Sequence, residues 1–119
     1  MIETDAIEAF NRRLTVDLNS IKTMTPAQLD RVKEQGSQAE NLLRNKDFAY
    51  FVHTFKFERM DALTVINAHD LNSNNERVAV SNQLTGIDEF IRSLKRAVYF
   101  RNKVVSQQTG QLTPEDPAV

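Results

Sequence analysis

Residues that end helices or form tight turns are scarce in this chain. It has three glycines and three prolines among 119 residues. An all-β sandwich needs many tight turns, and glycine and proline supply most of them. This scarcity therefore predicts an all-α protein.

The composition limits what such a helical chain can be. Apolar residues make up 40% of it and charged residues 26%, which is enough for a core and too apolar for a disordered chain. The length fits one domain and a tail. The 15 basic and 16 acidic side chains nearly cancel, so no overall field attracts the chain to DNA or to an anionic membrane.

Two absences exclude further classes. Without cysteine there is no disulfide framework, no thiol nucleophile and no cysteine-ligated metal. No apolar run approaches the roughly 20 residues that span a bilayer, and the acidic start over residues 1–5 is unlike a signal peptide. We expect a soluble, cytosolic protein.

The apolar spacing predicts two helices in the first 44 residues. The first runs from about Thr4 to Ile21, with apolar residues at three- and four-residue steps. The second begins at Pro26, where Thr25 is a natural N-cap and Gln28 completes a capping box. Small residues in its apolar seam, Gly36 and Ala39, indicate that another helix approaches closely there.

Two longer helices are predicted to follow and to form an antiparallel hairpin. The third runs from about Asp47 to Ala68, and the fourth from about Asn75 to Ser106, with a polar loop over residues 71–75 between them. The expected organisation is one helical domain over residues 1–106, followed by a flexible tail over 107–119. Within that domain, residues 1–44 form an N-terminal helical pair and residues 45–106 the hairpin.

Both helices of the hairpin carry apolar residues on two sides. Phe48, Phe51 and Phe55 define the predicted core side of the third helix. The opposite sides are covered either by the first two helices or by other copies of the chain, and we favour some intermolecular burial because monomers rarely expose large apolar patches. The predicted interface residues are Tyr50, Phe57, Met60, Phe90, Phe100 and Val104.

The end of the fourth helix is basic and has two interpretations. Its cations can contact nucleic-acid phosphates, or they can simply complement the helix dipole. The balanced overall charge makes DNA binding possible but not favoured. The candidate phosphate-binding residues are Arg92, Lys95, Arg96, Arg101 and Lys103.

No pattern in the chain indicates catalysis. The two histidines, His53 and His69, are 16 residues apart, and His69 with Asp70 gives only half of a metal site or triad, which needs three or four converging groups. Phosphate-binding, nucleophile-elbow and zinc-protease motifs are absent. We therefore expect no enzyme activity, no catalytic residues, no metal, no cofactor and no small-molecule substrate.

One stretch resembles a known group of proteins. Residues 42–48 read Leu-Leu-Arg-Asn-Lys-Asp-Phe, and after a polar loop residues 82–91 read Asn-Gln-Leu-Thr-Gly-Ile-Asp-Glu-Phe-Ile, ahead of a basic helix end. Over residues 40–106 this order resembles small helical proteins of tailed-bacteriophage genomes, which are often encoded near head, portal or DNA-packaging genes. These proteins share no catalytic signature, so no functional residue is carried over.

The resemblance implies a function without catalysis. We expect a phage virion-assembly protein, in the host cytoplasm and the virion, that oligomerises or docks on a head, portal or tail partner. A DNA-binding small terminase subunit is the first alternative, although residues 1–40 lack the helix-turn-helix pattern of many such subunits. A small phage inhibitor that binds a host protein is the second alternative.

Overall fold

A computed structural model describes residues 2–13 and 16–110. Every regular element in these ranges is an α-helix, which confirms the predicted all-α class. None of the described helices combines the length and the apolar character needed to cross a membrane. The helices are α1 (Ile2–Arg12), α2 (Leu18–Ile21), α3 (Pro26–Arg44), α4 (Lys46–Thr64) and α5 (Leu71–Thr109).

The predicted first helix is two helices, so the prediction of one element from Thr4 to Ile21 was wrong. A capping box restarts the chain: the Ser20 amide donates to the Asp17 carboxylate over 2.7 Å, and the Asp17 amide donates to the Ser20 hydroxyl over 2.9 Å. Leu14, one of the apolar residues within the predicted helix, lies outside the described residues. The apolar spacing continues across the break between α1 and α2, so it indicated a single helix.

The start of α3 and its close contact with a neighbour are confirmed. The Gln28 amide donates to the Thr25 hydroxyl over 3.3 Å, and the Gln28 side chain accepts from the Thr25 amide over 2.9 Å. Gly36 is buried against α5, where an added Cβ would lie 2.8 Å from the carbonyl oxygen of Ala97 and would collide with the Cβ of Arg101. The two helices can approach this closely only because Gly36 has no side chain.

A single residue separates α3 from α4. Asn45 has an extended backbone, with ψ of 123°, and serves as the C-cap of α3 and the N-cap of α4. Its side chain accepts a hydrogen bond from the Phe48 amide over 2.9 Å. Helix α4 begins at Lys46 and ends at Thr64, four residues before its predicted end at Ala68.

The fourth predicted helix is longer at both ends, and the predicted loop over residues 71–75 was wrong. Asp70 precedes the first turn of α5, and its carboxylate accepts a hydrogen bond from the Ser73 hydroxyl over 2.6 Å. Arg77 reaches back to the carbonyl oxygens of Ile66, at 3.2 Å, and Ala68. Short polar side chains thus hydrogen-bond at the first turn of α5. Arg77 donates hydrogen bonds to the carbonyl oxygens in the connection before that turn.

The end of α5 also differs from the prediction. The helix continues to Thr109, where Gly110 terminates it with φ of +71°, a conformation that glycine adopts without strain. The predicted tail boundary at residue 107 therefore falls inside the helix. The rest of the predicted tail, residues 111–119, lies outside the described residues.

Both α3 and α4 pack against α5, at different places along it. Contacts of α3 fall on the C-terminal half of α5 and contacts of α4 on its N-terminal half. Residues later in α3 and α4 contact residues earlier in α5. The connecting side-chain pairs are Lys33–Gln108 at 2.9 Å, Glu40–Arg101 at 3.1 Å, Lys56–Asp88 at 2.8 Å and Arg59–Gln83 at 3.1 Å.

The main core lies where α2 and α3 meet the C-terminal half of α5. Ile21, Val32 and Val104 form its buried centre, and Phe100 packs against them. Phe100 and Val104 were predicted as interface residues, but α2 and α3 cover that side of α5 within the chain, so Phe100 is half-buried and Val104 fully buried. Val104 has no exposed surface at all.

The molecule is elongated. Its principal extents are 58 × 36 × 28 Å and its radius of gyration is 18.8 Å. A compact chain of this length has a radius of gyration of about 13.5 Å. The length of α5 sets the long dimension, since 39 residues extend for about 58 Å.

Candidate protein-docking face and the adjoining groove

Helix α4 is the least buried of the long helices. None of its 19 residues is buried, whereas α3 buries Val32, Gly36 and Ala39. Its inner side rests on α5 through half-buried residues that include Phe48, Val52 and Leu63. Only one neighbouring helix covers α4 along most of its length, so the remaining surface is open among the described residues.

The side of α4 that faces away from α5 is aromatic. We define the α4 outer face as Tyr50, Phe57 and Met60, which the helical spacing places on one side of α4. Tyr50 is 63% exposed, Phe57 61% and Met60 48%. The His53 and Phe57 rings stack with their centroids 6.4 Å apart. The result is an ordered apolar surface along about three turns of helix.

Two further aromatic residues of α4 are more exposed than predicted. Phe51 and Phe55 were expected on the core side, and this was wrong: Phe51 is 68% exposed and Phe55 37%. They lie on the flank of α4, and α5 alone is too narrow to cover that flank. Phe51 instead packs edge-to-face on Tyr50, with ring centroids 5.3 Å apart. These side chains widen the apolar surface of α4.

The other predicted interface residue, Phe90, lies on α5. It is partly exposed and packs edge-to-face on Phe48 of α4, with ring centroids 6.3 Å apart. Among the predicted interface residues, the structure therefore leaves the side chains of Tyr50, Phe57, Met60 and Phe90 exposed to solvent.

A groove opens between α4 and α5, next to the α4 outer face. Its volume is about 430 Å³. We call it the α4–α5 groove. Its apolar floor consists of Leu43, Phe48, Ala49, Val52 and Ile91, and its polar rim of His53, Lys56, Asp88, Arg92 and Lys95.

The rim of the groove has an excess of positive charge, with three cations against one carboxylate. Lys56 donates to Asp88 over 2.8 Å, and Arg92 pairs with Glu89 one turn away on the same helix. Lys95 has no carboxylate partner in the described part of the chain and is exposed. The groove is therefore suited to an apolar ligand surface that carries negative charge.

The predicted basic segment does not form one continuous surface. Arg101, a predicted phosphate ligand, is held within the chain by Glu40 of α3 through two hydrogen bonds, of 3.1 and 3.3 Å. The hydrogen bond from Arg101 holds the pKa of Glu40 below its ordinary value. Arg92, Lys95 and Arg96 remain exposed, and Lys103 is half-buried.

Histidine and carboxylate groups do not converge into a reactive site. His69 is exposed beside Asp70, and the hydrogen bond from Ser73 lowers the pKa of the Asp70 carboxyl. Within residues 2–13 and 16–110, no three histidine, aspartate or glutamate side chains lie close enough to bind a metal ion.

Comparison with models of known protein families, with curated proteins and with solved structures finds no match. Sequence patterns did not reveal the groove, because Lys56 and Asp88 are 32 residues apart and belong to no linear motif. The aromatic cluster over residues 48–57 was visible, but its exposure was only partly predicted.

Proposed function

We propose that this chain is a non-enzymatic assembly protein of a tailed bacteriophage that associates with further copies of itself through the α4 outer face. The sequence resemblance over residues 40–106 supports the phage assignment. The observation that carries the association is that α4, with five aromatic residues between positions 48 and 57, has no buried residue. Aromatic side chains on an exposed helix face are typical of protein interfaces.

The exposed area supports an interface of useful size. The whole chain exposes 9043 Å², whereas a compact protein of its mass exposes about 6,600 Å². Allowing the twelve undescribed residues the area of an unfolded chain still leaves roughly 1,000 Å² more than a compact domain of the remaining size exposes. Stable interfaces bury about 800 Å² per partner, so this surplus is large enough for one.

The reversed order of contacts along α5 supports a helical hairpin as the assembling unit. In this proposal α3 and α4 form one arm with a bend at Asn45, and α5 forms the other. The α3 end is closed by the core around Val32 and Val104. At the α4 end α5 buries Val80, but α4 buries none of its own residues and presents the docking face.

A change of one exposed residue tests the proposal. Phe57→Lys places a charge in the centre of the α4 outer face without removing a buried contact. We expect light scattering at micromolar concentration to show association of the unchanged chain and a lower average mass for the variant. Circular dichroism should show equal helix content in both.

A matched control separates the interface from a general effect of added charge. Val78→Lys changes an apolar residue of α5 that is about as exposed as Phe57. This variant should associate like the unchanged chain. A monomeric unchanged chain, or equal association of both variants, would contradict the proposal.

DNA binding is the second candidate function, supported by one observation: Arg92, Lys95 and Arg96 are exposed together within two turns of α5. Three phosphate contacts give a log–log slope of affinity against salt of about −3. Lys95→Ala should reduce that slope by about one. Absence of binding at low salt would remove this candidate and leave the first.

A further inference from the structure

Helix α1 is an exposed amphipathic helix that makes no extensive contact with the other helices. All its described side chains, from Glu3 to Arg12, are exposed. Ile7 is 64% exposed and Phe10 61%. The helical spacing places both on one side, together with Ala6 and with Glu3 between them. The chain therefore carries an apolar helix face with an embedded carboxylate.

The α4–α5 groove is complementary to this helix in polarity and in charge. Its floor is apolar and its rim carries three cations against Asp88, whereas α1 carries three carboxylates against Arg12, which pairs with Glu8. Arg13, just after α1, lies over the Phe10 ring and must move aside when Phe10 docks. The exposed Lys95, which lacks a carboxylate partner among the described residues, is the natural partner for a carboxylate on a docked helix. A helix that lays its apolar side into a groove is a common mode of recognition.

We propose that the α4–α5 groove binds α1 of a second copy of this chain. Ile7 and Phe10 enter the groove against Val52 and Ile91, and Glu3 approaches Lys95. Such a contact joins different surfaces on the two copies, so it links chains head to tail.

The position of α1 in its own chain favours a second copy as the source. Arg31 of α3 donates a hydrogen bond of 2.5 Å to the carbonyl oxygen of Arg12, which fixes the C-terminal end of α1 near the start of α3. Ile7 lies within about 8 Å of that point along α1. The nearest groove residue on α3, Leu43, lies about 18 Å from Arg31 along the helix. In this structure Ile7 and Phe10 stay exposed, so α1 does not occupy the groove of its own chain.

This inference rests on the proposed assembly role but uses different residues. The α4 outer face joins copies through Tyr50, Phe57 and Met60. The contact proposed here joins α1 to the groove and supplies a second, independent link. A head-to-tail contact such as the α1 contact forms a ring or an open filament, and the α4 outer face joins copies at a separate surface.

A mixing experiment with full-length chains tests the contact in isolation. Every chain carries Phe57→Lys, so that the α4 outer face does not contribute. Phe10→Glu blocks α1 in one chain, Ala49→Glu fills the groove floor in another, and Leu71→Glu changes a remote exposed residue as the control. Sedimentation velocity gives the mass at each concentration, and circular dichroism verifies the helix content.

We expect the control to associate and each blocked chain to associate at least about tenfold more weakly. An equimolar mixture of the two blocked chains should form heterodimers and nothing larger, because one intact α1 and one intact groove remain per pair. Association of the Phe10→Glu chain equal to that of the control would overturn the inference. A control that stays monomeric would overturn it as well.

Charge reversal gives a second measurement that does not depend on filling the groove. Glu3→Lys and Lys95→Glu should each weaken association, and the double variant should recover it. Additive losses in the double variant would contradict the proposed pairing. If Phe57→Lys alone leaves the mass of the natural chain unchanged while Phe10→Glu lowers it, the α1 contact stands and the proposed α4 outer face fails.

Discussion

The two halves of α5 are packed in opposite ways. Against its C-terminal half, α3 presents small residues, Gly36 and Ala39, and Val104 loses all solvent contact. Against its N-terminal half, α4 presents large aromatic and charged side chains, and none of its residues is buried. Small residues let two helices touch, whereas large ones hold them apart and leave a groove.

The comparison shows that hydrophobicity alone does not indicate where a core lies. The most aromatic helix of the molecule is its most exposed long helix, and the core forms around valine and isoleucine. The α3 end of α5 is packed within the chain, whereas the α4 end keeps large aromatic side chains exposed. Changes of matched residues at the two ends should therefore have unequal effects on stability.

The largest expected effect is at the close contact between α3 and α5. Gly36→Ala puts a methyl group against the backbone of Ala97 and the Cβ of Arg101, so the helices must separate. We expect a loss of about 3 kcal/mol of unfolding free energy in urea titrations. Gly86→Ala is the control: its Cβ meets nothing within 4 Å, and the change should stabilise α5 by about 0.5–1 kcal/mol. Equal changes in unfolding free energy at both glycines would contradict the close contact between α3 and α5 at Gly36.

The next largest effect is in the core. Val104→Ala removes two buried methyl groups and leaves a cavity, which should cost about 2 kcal/mol. Val78→Ala removes the same atoms from an exposed position of the same helix and should cost less than about 0.5 kcal/mol. Chemical denaturation of both variants measures the difference. Similar losses would mean that the core does not lie at the α3 end.

The pH dependence of stability depends on the ion pair that links α3 to α5. The pKa of Glu40 is lower in the folded chain than in the unfolded chain, so its contribution is present above the unfolded value and is lost as pH falls through the folded one. Glu40→Gln should therefore flatten the fall of unfolding free energy on acidification. Denaturation midpoints at neutral and acidic pH measure this, with Glu34→Gln as the exposed control on the same helix. An unchanged pH profile would contradict the role of the pair.

The smallest effect on stability is expected at the aromatic face. Phe57→Ala removes a large apolar side chain, but one that packs on little within the chain, so the monomer should lose less than about 0.5 kcal/mol. Urea titration at a concentration low enough to dissociate oligomers measures it. A loss comparable to that of Val104→Ala would place Phe57 in a core instead of on a docking face.

Local signals in the sequence predicted the features that depend on neighbouring residues. The capping box from Thr25 to Gln28, the break at Asn45 and the close approach at Gly36 were all visible, because each is set by a few adjacent side chains. The N-cap of α2 at Asp17 is also present in the sequence. The apolar spacing continues across it, however, and therefore indicated one unbroken helix.

Features that depend on which helix covers which side were not predictable from spacing. Phe51 and Phe55 share a helix side with Phe48, and their exposure follows from having one packing partner instead of two. The burial of Val104 follows from the position of α2, a helix of one turn. The α4–α5 groove arises only when Lys56 and Asp88 are brought together from distant positions.

The central claim is that the α4 outer face becomes buried when copies of the chain associate. Hydroxyl-radical footprinting of the natural chain across a range of concentrations measures this most directly. Modification of Tyr50, Phe57 and Met60 should slow several-fold as the mass rises, while Val78 and Leu71 react at a constant rate. If the mass rises and these three residues keep their reactivity, the α4 outer face is not the interface.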